Sequence, residues 1–434
     1  MSIFFPSPKN WNGSNPLDPA RRIDQELSDR RRRLAIGLSI SDDLGSVQGA
    51  LILSEGHGKY LRLRHSVTEA LELPESVRDT CQQLSQSDQP DFQTTLLAKS
   101  DLSEALCPII ESLKQNAGKY VDRLLFVAVH DPGMWFDDFD GQRTFSNWID
   151  PICVAETTGI TTLDAFPARD MAAGGNGQHL HCLPNWLMMA DRSKTVANES
   201  RLFMSVQGRS QVVFLPPSDG LEAEVPRIQL AETLGLEFLE QVLNFFGLGE
   251  LQASSEQLNV QGQAIPDLLS AWQSLHSTAP FNQIADYLEC CQPWQTKEVS
   301  AADIVRTAVV FLVDLLHVTA ARMVDPASIA QVIIETPDPL AASMVNQLDR
   351  TFPSSTTSLV DRFGLENGLV KATGTAVLGL LHIDQMPANI PWLTNADSQR
   401  ILGRLTPGRP ANWRQVLREM ADFQPPAMRL RDAV

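Results

Sequence analysis

The sequence predicts an α/β protein of two lobes around a cleft, and three observations carry that prediction. Its 434 residues exceed the roughly 250–300 at which one hydrophobic core stops growing, so two cores are expected. An apolar hairpin pattern at residues 34–53 is echoed by a second at 202–215, each followed by helical periods, which reads as a duplicated unit. Between them lies a strand, loop and helix unit with a Gly-rich turn at 171–177, and function concentrates at such strand ends.

Taken along the chain, residues 1–33 are expected to form an arm, because Pro6, Pro8, Asn10, Asn12, Asn15, Pro16 and Pro19 bury little. Runs at 34–38, 48–53 and 60–65, the first two around a polar turn with Asp42, Asp43 and Gly45, read as a β-meander. Helical periods follow at 67–84 and 102–115. The apolar run 124–129 reads as a buried strand ending in His130-Asp131-Pro132-Gly133. Residues 150–158 read as a short helix, 161–165 as a strand and 184–190 as a helix with Trp186, Leu187, Met188 and Met189 in its core.

The second meander turns at Gln207-Gly208, and beyond residue 228 the pattern is mainly helical. Within it stand an apolar helix at 304–321, a strand at 331–335, a helix at 340–348 and a loop at 354–358. These assignments place the first lobe at 34–197, the second at 198–420 and a tail at 421–434.

Composition sets the exclusions. With 43% hydrophobic and 20% charged residues the chain is an ordinary globular one. Lys and Arg number 35 against 52 Asp and Glu, and a net charge of -17 repels phosphate backbones and anionic membrane surfaces, so no nucleic acid or membrane partner is expected. The one basic run, Arg30 to Arg33, reads as a solvated helix end. Stretch 304–321 carries Arg306, Asp314 and His317, which argues for a core helix rather than a membrane span. Cys81, Cys107, Cys153, Cys182, Cys290 and Cys291 form neither a CxxC pair nor a disulfide ladder, and no charged-then-apolar leader opens the sequence, so a cytoplasmic protein is expected.

The chemistry-bearing residues are Glu156-Thr157-Thr158-Gly159-Ile160 and then Arg169-Asp170-Met171-Ala172-Ala173-Gly174-Gly175-Asn176-Gly177. Alone, an Asp before a Gly-rich segment usually caps the turn. The ordered pair of motifs, E-x-T-G-I then R-D-x-A-x-G-G-x-G, resembles the anhydro-N-acetylmuramic acid kinases. The likeness continues through Asp150-Pro151, the Gln207-Gly208 hairpin, Gly374 to Gly379, Pro387-Ala388-Asn389-Ile390-Pro391, Thr394 and Leu402-Gly403, over roughly residues 34–410.

This resemblance implies an actin-like, ribonuclease H-like sugar-kinase fold with a central cleft. It also implies a cytoplasmic, homodimeric enzyme of cell-wall recycling that opens the 1,6-anhydro ring of an amino sugar with water and phosphorylates it from ATP with magnesium. Asp170 is then the general base, and Arg169, Gly174, Gly175, Gly177 and His130 stand at sugar-binding positions. His130 matches the start of the family's H-G-Q-T loop, whose remainder Asp131-Pro132-Gly133 replaces.

The nucleotide loops depart from the family. Its first hairpin, G-L-M-S-G-T-S-L-D-G, corresponds to Gly37-Leu38-Ser39-Ile40-Ser41-Asp42-Asp43-Leu44-Gly45-Ser46, with two carboxylates where Thr and Ser would meet phosphate. The loop F-D-T-G-P-G-N corresponds to residues 230–236, a segment that reads as helix-like and keeps Gly235 while gaining Glu232. The adenosine loop G-G-G-A corresponds to Glu335-Thr336-Pro337-Asp338, and the N-I-G-G hairpin survives as Ser205-Val206-Gln207-Gly208. One carboxylate about 4 Å from a phosphate charge costs on the order of 4 kcal/mol at an effective dielectric of 20, roughly a thousandfold in affinity.

Gly37, Ser41, Asp42, Asp43, Gly208 and Gly235 are therefore expected to mark a degenerate nucleotide site. The expected function is a diverged relative that binds a sugar or protein partner, the alternative being a working kinase. No metal site is expected: His179 and His181 alternate as ligands on a strand would, but no third ligand accompanies them. Asp137, Asp138 and Asp140 beside Trp135 and Phe136 read as an exposed acidic loop of a type that also suits sugar binding.

Overall fold

The structure, a computed structural model, describes residues 32–87, 90–137, 143–192, 199–218, 227–278, 283–336 and 340–422. The expected arm, apart from Arg32 and Arg33, the tail beyond residue 422, and Asp138, Asp140, Pro337 and Asp338 lie outside these described residues.

The first sheet takes β1 (Arg32–Ile40), β2 (Ser46–Glu55), β3 (Arg62–Glu72) and β4 (Leu124–His130). A separate hairpin follows, β5 (Met134–Asp137) with β6 (Arg143–Ser146), and then β7 (Thr161–Asp164). The second sheet takes β8 (Ser200–Val206), β9 (Arg209–Leu215), β10 (Gln229–Leu234), β11 (Ile329–Glu335) and β12 (Thr356–Leu359), and β13 (Arg404–Thr406) comes last in the chain. The strand orders are β13-β7-β4-β1-β2-β3 and β10-β9-β8-β11-β12. In each sheet three antiparallel strands lead, and the first of them then pairs in parallel with a fourth, which pairs in parallel with a fifth. That repeated order is the ribonuclease H-like topology of the actin-like sugar-kinase fold. Ligands in open sheets of this kind sit beyond the carboxyl ends of the parallel strands, where the strand order reverses.

The helices are α1 (Glu75–Ser85), α2 (Phe92–Ala105), α3 (Cys107–Ala117), α4 (Pro151–Thr158), α5 (Phe166–Met171), α6 (Cys182–Met189), α7 (Leu236–Phe245) and α8 (Ser255–Gln261). They continue as α9 (Pro266–Thr278), α10 (Ile284–Glu289), α11 (Ala301–Met323), α12 (Ala341–Thr351), α13 (Val370–Ile383), α14 (Pro391–Thr394) and α15 (Pro410–Asp422). Outer cores lie against the far face of each sheet, one holding Ile36, Leu102 and Ile110, the other Leu202, Trp272 and Phe311. A third core joins the two sheets: Phe126 and Ala128 of the first and Phe203 and Ile333 of the second share it with α13. Helix α13 is apolar nearly all round, as a helix buried on all sides must be. It lies so close to β1 that a Cβ on Gly37 would come 2.2 Å from the Ala372 carbonyl oxygen.

Several expectations are corrected. Residues 67–72 extend β3 instead of starting a helix, because Val67 to Glu72 pair in register with β2 from Leu51 to Ser46. The helical period 102–115 is two helices, broken at Leu106 ahead of Pro108. Residues 229–234 are strand β10, not helix-like, and 356–359 are strand β12, not loop; each completes the second sheet by pairing with β9 or β11. Arg33 is no solvated end. It is 4% exposed and places two guanidinium nitrogens on Asp384, at 2.6 and 3.2 Å. Helix α11 is long and apolar enough to cross a membrane, and 67% of its most apolar window is buried inside the second lobe.

The second lobe does not run to 420, because the chain returns to the first sheet: β13 pairs with β7, and Asn412 of α15 donates to the carbonyls of Leu124 and Leu125.

Candidate functional site

Asp170 sits on the short helix α5, which Ala165 opens in the left-handed region at φ 57°. Its side chain is fully buried. Oδ1 accepts from Asn389 Nδ2 at 2.8 Å and Thr394 Oγ1 at 2.9 Å, and Oδ2 accepts from the Gly177 amide at 3.0 Å. The Gly-rich turn wraps this carboxylate closely, since a Cβ on Gly175 would meet Oδ2 at 2.1 Å. Gly174 and Gly177 hold φ of 82° and 71°, a region open to glycine at little cost. Two further backbone bonds clamp the turn to the segment around α14, Asn176 N to Thr394 O at 2.7 Å and Asp397 N to Ala173 O at 2.8 Å. Arg169 points outward and is exposed. Trp135 closes over Gly177 from the β5–β6 hairpin and is itself held by its indole bond to the Pro132 carbonyl.

Of the loops expected at the nucleotide, two form internally hydrogen-bonded turns, and the start of the third is tied down by its first residue. In the first, Ser41 Oγ accepts from the amides of Gly45 and Ser46 and donates to Asp43, while Asp43 Oδ1 accepts the Gly45 amide at 3.0 Å. Burial works against the Asp43 charge, but the Ser41 and Gly45 hydrogen bonds and the Arg78 charge hold its carboxyl below the usual range. Asp42, the exposed neighbour, pairs with Lys371 of α13 at 3.3 Å. In the second, the Leu236 and Glu237 amides at the start of α7 donate to the Gln207 and Gly208 carbonyls at 2.6 and 3.1 Å. Gly235 permits this, for a Cβ there would stand 2.3 Å from the Gln207 oxygen. In the third, buried Glu335 at the end of β11 accepts from Ser205 Oγ at 2.8 Å and from the Val370 amide, the first of α13, at 3.1 Å. Burial raises the Glu335 carboxyl above its ordinary value, against the pull of those two bonds and Lys371.

Two imidazoles pack against each other at the end of β4. His130, at the end of β4, meets the His181 ring edge-on with centroids 4.8 Å apart. His181 Nε2 lies 3.1 Å from Thr375 Oγ1, whose hydroxyl donates to the Lys371 carbonyl, so the imidazole is the donor toward Thr375. Burial, with the Lys371 charge behind it, pushes His130 down to about 3 and holds His181 well below the usual range, where the neighbouring His130 adds to the effect. Both rings are therefore neutral at physiological pH. His179 faces away from this pair, toward Glu232 at 3.9 Å.

Of the residues singled out in sequence, the structure brings Asp170, Gly174, Gly175 and Gly177 into one unit and places Ser41, Asp42 and Asp43 together in one turn, with Gly208 and Gly235 in another. It separates Gly37 from the set: that glycine is mid-strand and serves the close approach of α13. His130 joins His181 and not the hydrogen bonds of Asp170. Sequence reasoning missed the roles of Asn389, Thr394, Lys371 and Thr375. Asn389 and Thr394 were visible only as collinear motif positions, and Lys371 only as a lone cation ahead of an apolar helix.

Residues 34–223 match the sequence profile of anhydro-N-acetylmuramic acid kinase. The anhydro-N-acetylmuramic acid kinase of Gloeobacter violaceus is 23% identical over 86% of this chain and 98% of its own length. That of Nitrosomonas europaea is 21% identical over 86% of this chain and 99% of its own. Among solved structures, the activator of the 2-hydroxyisocaproyl-CoA dehydratase from Clostridium difficile aligns over 80% of this chain and 94% of its own, with 9% identity and a TM-score of 0.42. The chain thus resembles the anhydro-N-acetylmuramic acid kinases in sequence, at low identity and over most of its length, and has the actin-like sugar-kinase fold.

Proposed function

We propose that this relative has a nucleotide site filled by its own side chains and retains a sugar site, so that it binds an amino sugar or anhydro sugar, or a protein partner, without phosphorylating from ATP. We place it in the cytoplasm, as a homodimer, on the strength of the family likeness alone. The observation that carries the reading is the state of the backbone amides at the expected phosphate positions. Gly45 and Ser46 are taken by Ser41 and Asp43 and Leu236 by a hairpin carbonyl, while Glu335, at the start of the expected adenosine loop, is turned to the Val370 amide outside it.

Phosphate binding in such loops depends on free amides and on the absence of competing carboxylates. Here internal acceptors occupy the amides and two carboxylates stand where phosphate charge would lie, so the residues do not fit a triphosphate held in the usual way.

Calorimetry with magnesium and ATP tests the proposal, and a dissociation constant in the micromolar range would overturn it. The same measurement with 1,6-anhydro-N-acetylmuramic acid and a panel of amino sugars tests the retained half: the parent protein binds one of them and Asp170→Asn does not.

A second reading, a working kinase that opens and phosphorylates the anhydro sugar using ATP and magnesium, is favoured by one specific observation. Asp170 and its glycine turn are held in place by Asn389 and Thr394, positions within the collinear family likeness. Sugar-dependent ADP release that disappears in Asp170→Asn decides for it.

A further inference from the structure

On the outer side of the second lobe, away from the turns described above, α8, α11 and α12 enclose a recess of about 230 Å³ lined by Asn259, Gly262, Arg306, Ser343, Gln347 and Arg350, among others. Arg306 is half-buried on α11 and is held by neutral oxygens. Asn259 Oδ1 lies 3.4 Å from its Nη1, and the Gln347 amide, oriented with its oxygen toward the guanidinium, accepts at 2.8 and 3.1 Å. Arg350 stands exposed at the rim, one helical turn beyond Gln347. Among the described residues, neither arginine pairs with a carboxylate, in a chain whose net charge is -17 and where acids are abundant.

A buried polar atom beside Arg306 also lacks a partner. Asn259 is 1% exposed, yet its Nδ2 donor meets no acceptor. A buried donor left open next to an arginine without a carboxylate calls for a ligand. Donors dominate, and guanidinium forks match the geometry of carboxylate and phosphate oxygens.

We infer that this recess binds a small oxyanion, such as phosphate or a small carboxylate. Arg306, Arg350 and the Asn259 amide supply the donors to its oxygens. The inference is independent of the nucleotide site, because no residue of the three loops lines the recess.

Calorimetry on the full chain in a chloride buffer tests it, with inorganic phosphate, lactate and sulfate as separate probes. At least one of the three binds saturably at one site per chain. Arg306→Gln weakens binding about tenfold or more, as expected for loss of a charge-assisted contact. Arg418→Gln, an exposed arginine on α15, leaves binding unchanged. Because Arg306→Gln also removes a packed side chain, Asn259→Asp is the second variant: its carboxylate takes the place of the anion beside Arg306, abolishing binding without lowering the melting temperature. Absence of saturable binding by all three probes, or affinity unchanged in both recess variants, overturns the inference.

Discussion

Asn389 donates its side-chain amide to Asp170 across 219 positions of sequence, at 2.8 Å between two fully buried groups. The bond ties the glycine turn of the first lobe to a segment that the chain reaches only after building the second. Asp170→Asn puts a second amide against three donors, and Asn389→Ala leaves Oδ1 with Thr394 alone. Each is expected to destabilise the protein by about 2–3 kcal/mol, read as a shift of the urea midpoint. If neither midpoint moves, Asp170 is not the hub that its hydrogen bonds suggest.

The two glycines matched to the family's nucleotide hairpins predict opposite outcomes for one substitution. A Cβ on Gly37 would sit 2.2 Å from the Ala372 oxygen and 2.4 Å from the Ala376 nitrogen, both backbone atoms that cannot turn aside, whereas a Cβ on Gly208 meets nothing within 4 Å. Gly37→Ala is expected to cost more than about 3 kcal/mol or to abolish soluble expression, and Gly208→Ala to stay within about 0.5 kcal/mol. Equal costs would show that Gly37 is not a packing residue.

Asp131 gives the protein a pH dependence of definite sign. Burial pushes its carboxyl from 3.8 up to about 6, against hydrogen bonds from the Trp148 and Ile149 amides. The folded state therefore holds the proton more tightly than the unfolded one. Its contribution to stability is full below about pH 4 and is lost as pH rises toward 6. The loss is on the order of 3 kcal/mol. Asp131→Asn should flatten the unfolding free energy across that window, and a variant whose pH profile parallels the parent's would falsify the assignment.

Arg33 and Asp384 form the most buried ion pair of the first lobe among the described residues, with the Gly58 amide and His57 Nδ1 completing the carboxylate's partners at 2.7 and 3.0 Å. Arg33→Met strands a buried carboxylate and is expected to cost about 3–5 kcal/mol. Replacing both, Arg33→Met with Asp384→Leu, should recover much of that loss, because desolvation of the pair offsets most of its attraction. Denaturant curves of the parent and the three variants make the comparison, and failure of the double variant to recover would assign the pair a net stabilising role.

The architecture was legible in the sequence where local pattern and tertiary demand agree. The hairpins around residues 41–46 and 207–208 carry polar turns between apolar runs, and β4 is a continuous apolar run before a loop; each forms as the pattern predicts. Illegible were segments whose structure comes from a distant partner. Residues 67–72 follow a helical period yet pair with β2, and Thr356 to Leu359 look like a polar loop until β11 supplies the ladder. In the candidate site, Asp170 and its glycines could be read because they are contiguous. Lys371, Thr375 and the capping role of Glu335 could not, because α13 brings the first two to Asp42 and His181, and the β8–β11 pairing brings Glu335 to Ser205, only in three dimensions.

The return of β13 and α15 to the first sheet has a consequence for synthesis. The strands of the second sheet, residues 200–359, are contiguous and interrupted by no piece of the other lobe. The first sheet, by contrast, waits for its edge strand, and its inner face waits for α13. On the ribosome the lobe begun first is therefore finished last. Until residues 370–422 emerge, a nascent chain exposes the open edge of β7 and the apolar surface around Gly37, features that invite misassembly. Premature termination in this final stretch would leave the second lobe's sheet complete and the first lobe with the sticky surfaces that chaperones recognise.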